Sequence, residues 1–193
     1  MIKKGIILAG GTGTRLSPLT KSVNKQLLPI HDKPMIFYPL SIMMLANIRK
    51  ILMIVNPGQI NNFKTLLGDG SRYGININYK IQDKPRGLPD AFNLGKSFIS
   101  NENVALILGD NFFYGQSLTQ KLEKAKKHKS GATIFLKEVS TPENYGVAKI
   151  RNKKIEKIIE KPKKFVSKNA ITGLYFFDKN VSSYSSKLKK SSR

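Results

Sequence analysis

The sequence predicts an α/β protein with a mostly parallel central sheet, and three observations support this prediction. Short apolar runs typical of buried strands recur along the chain. Helix-length segments separate most of these runs in the first two thirds of the sequence. A glycine-rich turn follows the first run, at residues 10–13. Strands that alternate with helices form parallel sheets with crossover helices, so the order of the segments indicates the fold class.

The individual elements follow from their apolar patterns. Strands are predicted over residues 3–9, 50–55, 75–81 and 104–108, and helices over residues 34–46, 59–67, 87–98 and 118–128. Pro39 is expected to kink the first helix or to shift its start, and Gly68 ends the second. Further strands are predicted over residues 132–139, 147–150, 154–159 and 171–177, before a Ser/Lys-rich segment at 182–193 that forms a surface helix or a frayed tail.

Composition narrows the classes of function. The 193 residues include 34 Lys and Arg against 12 Asp and Glu, a formal net charge of +22. Such a charge suits nucleic acid, an acidic membrane or small anionic substrates. Only six of the basic residues are Arg, the residue that base readers favour, so no specific nucleic-acid partner is expected. The chain has no cysteine, which excludes disulfides and a thiol nucleophile, and its two histidines are too far apart for a metal site built from histidine.

No membrane partner is expected either. No apolar run approaches the roughly 20 residues that cross a bilayer. The apolar run near the start stops at Gly10-Gly11, too early for the core of a signal peptide. We therefore expect a buried first strand in a cytoplasmic protein.

The loop at residues 10–16, GGTGTRL, is the first candidate site. Glycines after a strand let backbone N–H groups approach phosphate oxygens. Leu16 stands where a dinucleotide turn needs its third glycine, and the Gly-Lys-Ser/Thr of a P-loop is absent. Arg15 and the downstream Lys25 could hold a triphosphate without either fingerprint. An ordinary strand–turn–helix with exposed cations is the alternative.

Asp110 is the candidate metal ligand. It follows the predicted central strand 104–108 and Gly109, and open α/β sheets bind ligands at the carboxyl ends of their strands. Carboxylate and phosphate oxygens are the ligands that Mg²⁺ prefers. The alternative is a turn aspartate that caps the next element, because Gly-Asp-Asn is also favourable turn chemistry.

Two further groups have the chemistry to read a base and a sugar phosphate. The amide of Gln82 can donate and accept, which suits the edge of thymine or uracil, and Gly87 permits a close backbone approach. Glu160 and Lys161 supply an acceptor for sugar hydroxyls and a cation for the sugar phosphate. A solvated loop residue and one more charged strand edge are the respective alternatives.

An ordered set of short motifs connects these candidates. They are GGTGTRL (10–16), KQLLP (25–29), DKPMI (32–36), LGDGS (67–71), LGDN (108–111), FYG (113–115), YGV (145–147), EKP (160–162) and TGLY (172–175). The set resembles the sugar-1-phosphate nucleotidyltransferases, and within them the branch that transfers dTMP from dTTP to glucose 1-phosphate. Each motif alone is weakly specific, but the ordered set runs from residue 1 to the end.

The resemblance implies a Rossmann-like, three-layer nucleotidyltransferase fold with a mostly parallel central sheet. Residues 1–193 would form one nucleotidyltransferase domain, the N-terminal two-thirds of the family fold, truncated at the C-terminus. The implied reaction produces dTDP-glucose and pyrophosphate for dTDP-rhamnose synthesis, with Mg²⁺ as cofactor and dTTP and glucose 1-phosphate as substrates. Family members are commonly homotetramers.

The resemblance also implies roles for individual residues. The implied catalytic residues are Arg15, Lys25 and Lys161. The implied nucleotide-binding residues are Leu8, Gly10, Gly11, Gly13, Thr14, Arg15, Lys25, Gln26, Gln82, Gly87 and Asp110. The implied substrate-binding residues are Asn111, Tyr145, Gly146, Glu160, Lys161 and Thr172. Asp110 is the implied magnesium ligand, and the family's second metal-binding aspartate is expected beyond residue 193.

Three rival functions stay open. A uridylyltransferase or another sugar-1-phosphate nucleotidyltransferase would use the same residues with a different base or sugar. An inactive remnant would retain binding without turnover, because the second aspartate is absent from the chain. A basic nucleic-acid-binding protein would show an affinity that falls steeply with salt.

Overall fold

The computed structural model describes residues 1–11, 13–84, 86–127, 129–152 and 154–188. The strands are β1 (Lys4–Ala9), β2 (Pro29–Ile30), β3 (Lys33–Pro34), β4 (Lys50–Val55), β5 (Asn76–Ile81), β6 (Val104–Leu108), β7 (Ala132–Glu138), β8 (Gly146–Arg151), β9 (Lys154–Glu160) and β10 (Asn169–Phe177). The helices are α1 (Phe37–Leu45), α2 (Ile60–Leu67), α3 (Pro89–Leu94), α4 (Lys96–Ile99), α5 (Leu118–Lys126) and α6 (Val181–Lys187). The chain divides into two units, of which the second is Ile134–Tyr175 and the first is the remainder.

A four-stranded parallel sheet organises the first unit. Its strand order is β5-β4-β1-β6, and the register pairs Ala9 with Val55, Val55 with Ile81, and Leu8 with Leu108. β1, β4 and β6 are almost wholly buried, as expected for strands whose two faces are both covered. This confirms the α/β class and the mostly parallel sheet, and it aligns the carboxyl ends of the four strands.

The apolar runs at 50–55 and 104–108 have the predicted bounds. The first helix starts late, at Phe37, so Pro39 falls in its first turn, where a proline costs no internal hydrogen bond. The prediction of one helix over 87–98 was wrong: the segment forms α3 and α4, which meet at Gly95. The ψ of Gly95 is 4°, outside helical geometry. His128 and residues 189–193, part of two predicted segments, lie outside the described residues.

The second unit is built from antiparallel pairs. β8 and β9 pair from Gly146 opposite Glu160 to Arg151 opposite Lys154, with an irregularity between Lys149 and Ile150. β10 pairs with β7 and, through Ala170 and Val147, with β8. Several isoleucines of β8 and β9 stay exposed: Ile150, Ile155 and Ile158. Within the part of the chain that the structure describes, no helix is both long and apolar enough to cross a membrane.

Candidate functional site

The polar residues of the first unit lie at the carboxyl edge of the parallel sheet. Gly10 follows β1, Asn56 follows β4, Gln82 follows β5, and Gly109-Asp110 follow β6. The in-register pairing of the four strands places these positions side by side. Residues far apart in the sequence therefore meet at the edge where open α/β sheets bind ligands.

Asn56 holds the glycine-rich loop in place. The Gly11 N–H donates to Asn56 Oδ1 over 3.0 Å, and Asn56 Nδ2 donates to the Gly11 carbonyl over 2.8 Å. Gly11 has a φ of 98°, a conformation that favours glycine. The N–H of Gly11 is thus engaged by a side chain. The sequence analysis assigned no role to Asn56, so this clamp was missed.

Lys25 and Asp110 meet across the loop. Lys25 Nζ lies 2.8 Å from Asp110 Oδ2, and both side chains are partly exposed. Gly109 makes this possible, because a Cβ there would come within 3.0 Å of the Ala9 Cα and of the Leu8 carbonyl. The ends of β1 and β6 are therefore in close contact. Two residues predicted for separate roles, one on phosphate and one on metal, form a single ion pair.

Gln26 carries an unpartnered oxygen at the same edge. Its side chain is buried, and its Nε2 donates to the Gly10 carbonyl over 3.1 Å. Its Oε1 is buried without a hydrogen-bond partner in the structure. Asn24 Oδ1 accepts from the Gln26 N–H and caps the short helical turn Lys25–Leu27. A buried acceptor without a partner is unfavourable, so Gln26 is suited to receive a donor from a bound molecule.

Gln82 is buried and oriented by a neighbour. Its Nε2 donates to Asp90 Oδ2 over 2.9 Å. A Cβ on Gly10 would lie 3.0 Å from Gln82 Oε1. The missing side chain at position 10 therefore lets the amide oxygen lie close to the backbone of Gly10. Asp90, in the first turn of α3, was not singled out from the sequence.

A cavity of about 250 Å³ lies beside the loop. Its lining includes Gly11, Asn24, Lys25, Asn56 and Lys21, and contains no carboxylate. Two ammonium groups and several amides make this a favourable place for an anion. The other predicted nucleotide-binding residues are half-buried Leu8 in β1, half-buried Gly13, exposed Thr14 and Arg15 in the short 3₁₀ turn Thr14–Leu16, and exposed Gly87. Asn111 follows Asp110, and its N–H donates to the Leu108 carbonyl.

The donor set around Asp110 fits a magnesium ion only in part. Within the described ranges, no group of three or more His, Cys, Asp or Glu side chains is placed to hold a metal. Mg²⁺ in nucleotide sites commonly uses one or two carboxylates and takes its other ligands from phosphates and water. Asp110 meets the lower limit of that requirement, with Lys25 as its present partner.

Four predicted residues of the second unit come together at one end of the β8–β9 pair. Gly146 lies opposite Glu160, and a Cβ on Gly146 would be 2.7 Å from Glu160 Oε2. The Lys161 N–H donates to the Tyr145 carbonyl over 2.9 Å. Lys161 has a φ of 44°, unusual for a residue with a side chain. An acid and a base, Glu160 and Lys161, are thus neighbours in the sequence at this end of the antiparallel pair.

Thr172 occupies a different position in the second unit. Its hydroxyl donates to the Phe135 carbonyl over 2.9 Å, so it is already used within the sheet. Tyr175, which was quoted only as part of a motif, has a pKa raised by burial and by the charge of Glu160. That electrostatic interaction adds Tyr175 to the surroundings of Glu160.

The fold and this edge of the sheet define a class of protein. The chain belongs to the nucleotidyl transferase family, whose family model matches residues 4–193. Its relatives include the glucose-1-phosphate thymidylyltransferase of Neisseria meningitidis, 53% identical over 98% of this chain and 66% of the relative. The protein of the same name from Mycolicibacterium smegmatis is 49% identical over 98% of this chain and 66% of its own length.

Solved structures agree with these relatives. A Bacillus anthracis structure, described as that of a glucose-1-phosphate thymidylyltransferase in complex with sucrose, matches with a TM-score of 0.90 and 41% identity. The match covers 96% of this chain and 75% of that one. A UDP-glucose pyrophosphorylase in complex with UDP-glucose matches with a TM-score of 0.80 and 26% identity, over 98% of this chain and 81% of that one. The chain spans slightly less than two thirds of the length of the curated relatives above.

Proposed function

We propose that the chain transfers dTMP from dTTP to glucose 1-phosphate, producing dTDP-glucose and pyrophosphate. The single observation that carries the proposal is the Lys25–Asp110 ion pair beside the glycine-rich loop, 2.8 Å from nitrogen to oxygen. Relatives with about half of their residues identical to this chain are named for that activity, and they support the choice of substrates. The dTDP-glucose produced is the form of glucose that dTDP-rhamnose synthesis consumes.

The reaction needs no nucleophilic side chain. An oxygen of the sugar phosphate attacks the α-phosphorus of the nucleotide, and the bond from that phosphorus to the bridging oxygen breaks to release pyrophosphate. The protein's contribution is then positioning and neutralisation of charge. Lys25 and Arg15 are the cations proposed for the triphosphate, and the backbone at Gly10, Gly11, Gly13 and Thr14 is proposed to hold it. The Gly11 N–H would first have to leave Asn56.

Gln26 and Gln82 are proposed to bind the nucleoside, with Gly87 and Leu8 beside it. The buried Gln26 oxygen supports this role, because a donor from the ligand would satisfy it. Asp110 is the residue proposed to hold Mg²⁺. That ion supplies neutralisation of negative charge on phosphate oxygens.

The residues at the end of the β8–β9 pair are proposed to bind the sugar phosphate. Glu160 is the acceptor for sugar hydroxyls, and the absence of a side chain at Gly146 lets that carboxylate lie against the opposite strand. Lys161 is the cation for the sugar phosphate. Tyr145 and Thr172 are proposed as further contacts in the second unit, although the Thr172 hydroxyl would first have to leave the Phe135 carbonyl. In the first unit, Asn111 is the residue proposed to contact the substrate.

The test is release of pyrophosphate by the purified 193-residue chain. Glucose 1-phosphate and Mg²⁺ are supplied with dTTP or with UTP in parallel, and each reaction is repeated with a chelator. The proposal expects release with dTTP that the chelator abolishes. The UTP arm is included because a structural neighbour is a UDP-glucose pyrophosphorylase. Release with UTP and not with dTTP would mean that the chain transfers UMP instead of dTMP.

The same chain must be shown to be folded, by a cooperative thermal transition. A folded chain that binds dTTP without releasing pyrophosphate would be a binding remnant. A chain that ignores nucleotides and binds duplex DNA with steep salt dependence would be a basic nucleic-acid-binding protein. Either result overturns the proposal.

The family's homotetramer and a cytoplasmic location stay proposals. Both substrates, a nucleoside triphosphate and a sugar phosphate, suit that location. Sedimentation velocity on the purified chain measures the oligomeric state directly.

A further inference from the structure

We propose that Asp90 is a positioning residue that sets the orientation of the Gln82 amide, and through it the choice of base. The inference rests on the proposed function, because it assumes that Gln82 faces the nucleoside. It states which chemical feature of the base is selected: an N–H at position 3 of a pyrimidine ring.

The contact between Asp90 and Gln82 is buried on both sides. Gln82 is 6% exposed and Asp90 9% exposed, and the Gln82 Nε2 donates to Asp90 Oδ2 over 2.9 Å. A carboxylate accepts hydrogen bonds and has none to donate. Only the nitrogen side of the Gln82 amide can therefore face Asp90. A neutral partner such as a second amide would allow either orientation.

The neighbour of Asp90 on its other side strengthens this constraint. Arg86 Nη1 lies 4.0 Å from Asp90 Oδ1, the oxygen that Gln82 does not use. A guanidinium has only donors, so Arg86 also engages Asp90 as an acceptor.

The amide oxygen of Gln82 is consequently fixed on the side of Gly10. A Cβ on Gly10 would be 3.0 Å from that oxygen, so a side chain at position 10 would press on it. Thymine and uracil carry a donor at position 3, and cytosine carries an acceptor there. An oxygen held in this place stabilises the first two bases and repels the third. The geometry selects against cytosine without distinguishing thymine from uracil.

The experiment measures the dissociation constants of dUTP and dCTP by calorimetry on the full 193-residue chain. These nucleotides differ only at positions 3 and 4 of the base. The ratio of their dissociation constants therefore reports on the contacts that the protein makes with these two positions. We expect the wild type to bind dUTP roughly tenfold or more tightly than dCTP. Because Asn can donate as well as accept, Asp90→Asn allows the amide to turn, and we expect the ratio to fall to about threefold.

Two further variants separate positioning from other effects. Asp83→Asn removes the same charge from an exposed residue beside Gln82, and we expect it to keep the wild-type ratio. The double variant Gln82→Glu with Asp90→Asn restores an acceptor in front of the base, because a carboxylate at position 82 has only oxygens. We expect it to recover the preference for dUTP, which a purely structural role of Asp90 would not predict.

Each outcome decides between the two proposals. A wild type that binds dUTP and dCTP equally overturns the inference without any variant. A wild type that discriminates, with an Asp90→Asn variant that binds both nucleotides in the same ratio, also overturns it and leaves nucleotide binding intact. A wild type that binds neither nucleotide, nor dTTP, overturns the proposed function and the inference together.

Discussion

The two units of the chain assemble their candidate site residues in different ways. In the first unit, the residues come from the ends of four strands that are separated by helices and aligned by parallel pairing. In the second, most of them lie at the open end of the β8–β9 pair, where Gly146 is opposite Glu160. A parallel sheet places its site only after distant segments have paired, whereas an antiparallel pair places its own ends directly.

The two units also differ in how far their isoleucine side chains are buried. Ile7, in β1 of the first unit, is fully buried, and Ile158, in β9 of the second, is 53% exposed. The first unit thus depends on packing around its central strands. We therefore expect a substitution of the same chemical kind to have different consequences in the two units.

The largest expected effect is on stability. Ile7→Ala should lower the free energy of unfolding by about 2–5 kcal/mol, because it leaves a cavity at the centre of the parallel sheet. Ile158→Ala is the matched control, and its cost should stay within about 0.5 kcal/mol. Urea unfolding of both variants measures the difference. Equal losses would show that the two units do not differ in this way.

The next effect is on turnover, and it concerns the first unit alone. Asp110→Asn should lower pyrophosphate release roughly hundredfold or more, because it removes the charge that pairs with Lys25 and that the metal requires. Asp32→Asn is the control: Asp32 also pairs with a lysine, Lys33 at 3.1 Å, but at an exposed turn. A folded Asp110→Asn variant with wild-type turnover would remove Asp110 from the site.

The smallest effect is a pH dependence that compares one tyrosine from each unit. Burial, and then the charge of Asp69, raise the pKa of Tyr79 to about 12. Burial, and then Glu160, also raise the pKa of Tyr175. Both folded-state pKa values are raised, so the stability that each neutral phenol contributes is complete below about pH 10, the ordinary tyrosine pKa. It is lost as the pH rises through the folded-state value.

Tyrosinate absorbance measures this dependence directly. Tyr79→Phe should remove the ionisation step near pH 12, and it should make the free energy of unfolding less sensitive to pH between about 10 and 12. Tyr175→Phe is the parallel variant for the second unit. A wild type whose tyrosines all ionise at about pH 10 would contradict both shifts.

Much of the fold could be predicted because apolar runs mark buried strands. The run VALIL at 104–108 cannot be solvated, and its neighbours in the sequence end it sharply, so its bounds were correct. The break at Gly95 was not predictable from the local pattern. A Cβ there would come within 3.0 Å of the Ile6 side chain, and that crowding comes from tertiary packing of the helix on the sheet.

The candidate site also contains residues that the sequence predicted and residues that only the structure revealed. Gln82 and Asp110 were singled out because each has suitable chemistry at the end of a predicted strand, and Lys25 because it is a cation downstream of the glycine-rich loop. Asn56 and Asp90 were missed because each acts through a partner that is not its neighbour in the sequence. Asn56 bonds to Gly11, and Asp90 bonds to Gln82. A single asparagine or aspartate matches no sequence motif, so its role becomes evident only when the structure shows which residue it contacts.

The central place of β1 has a consequence for the protection of its backbone amides. β1 is hydrogen-bonded to β4 on one side and to β6 on the other, so it has no free edge. Exchange of its amide protons with solvent requires opening of the sheet on at least one side, and such strands exchange close to the limit set by global unfolding. We therefore expect the glycine-rich loop to begin at one of the most slowly exchanging segments of the first unit.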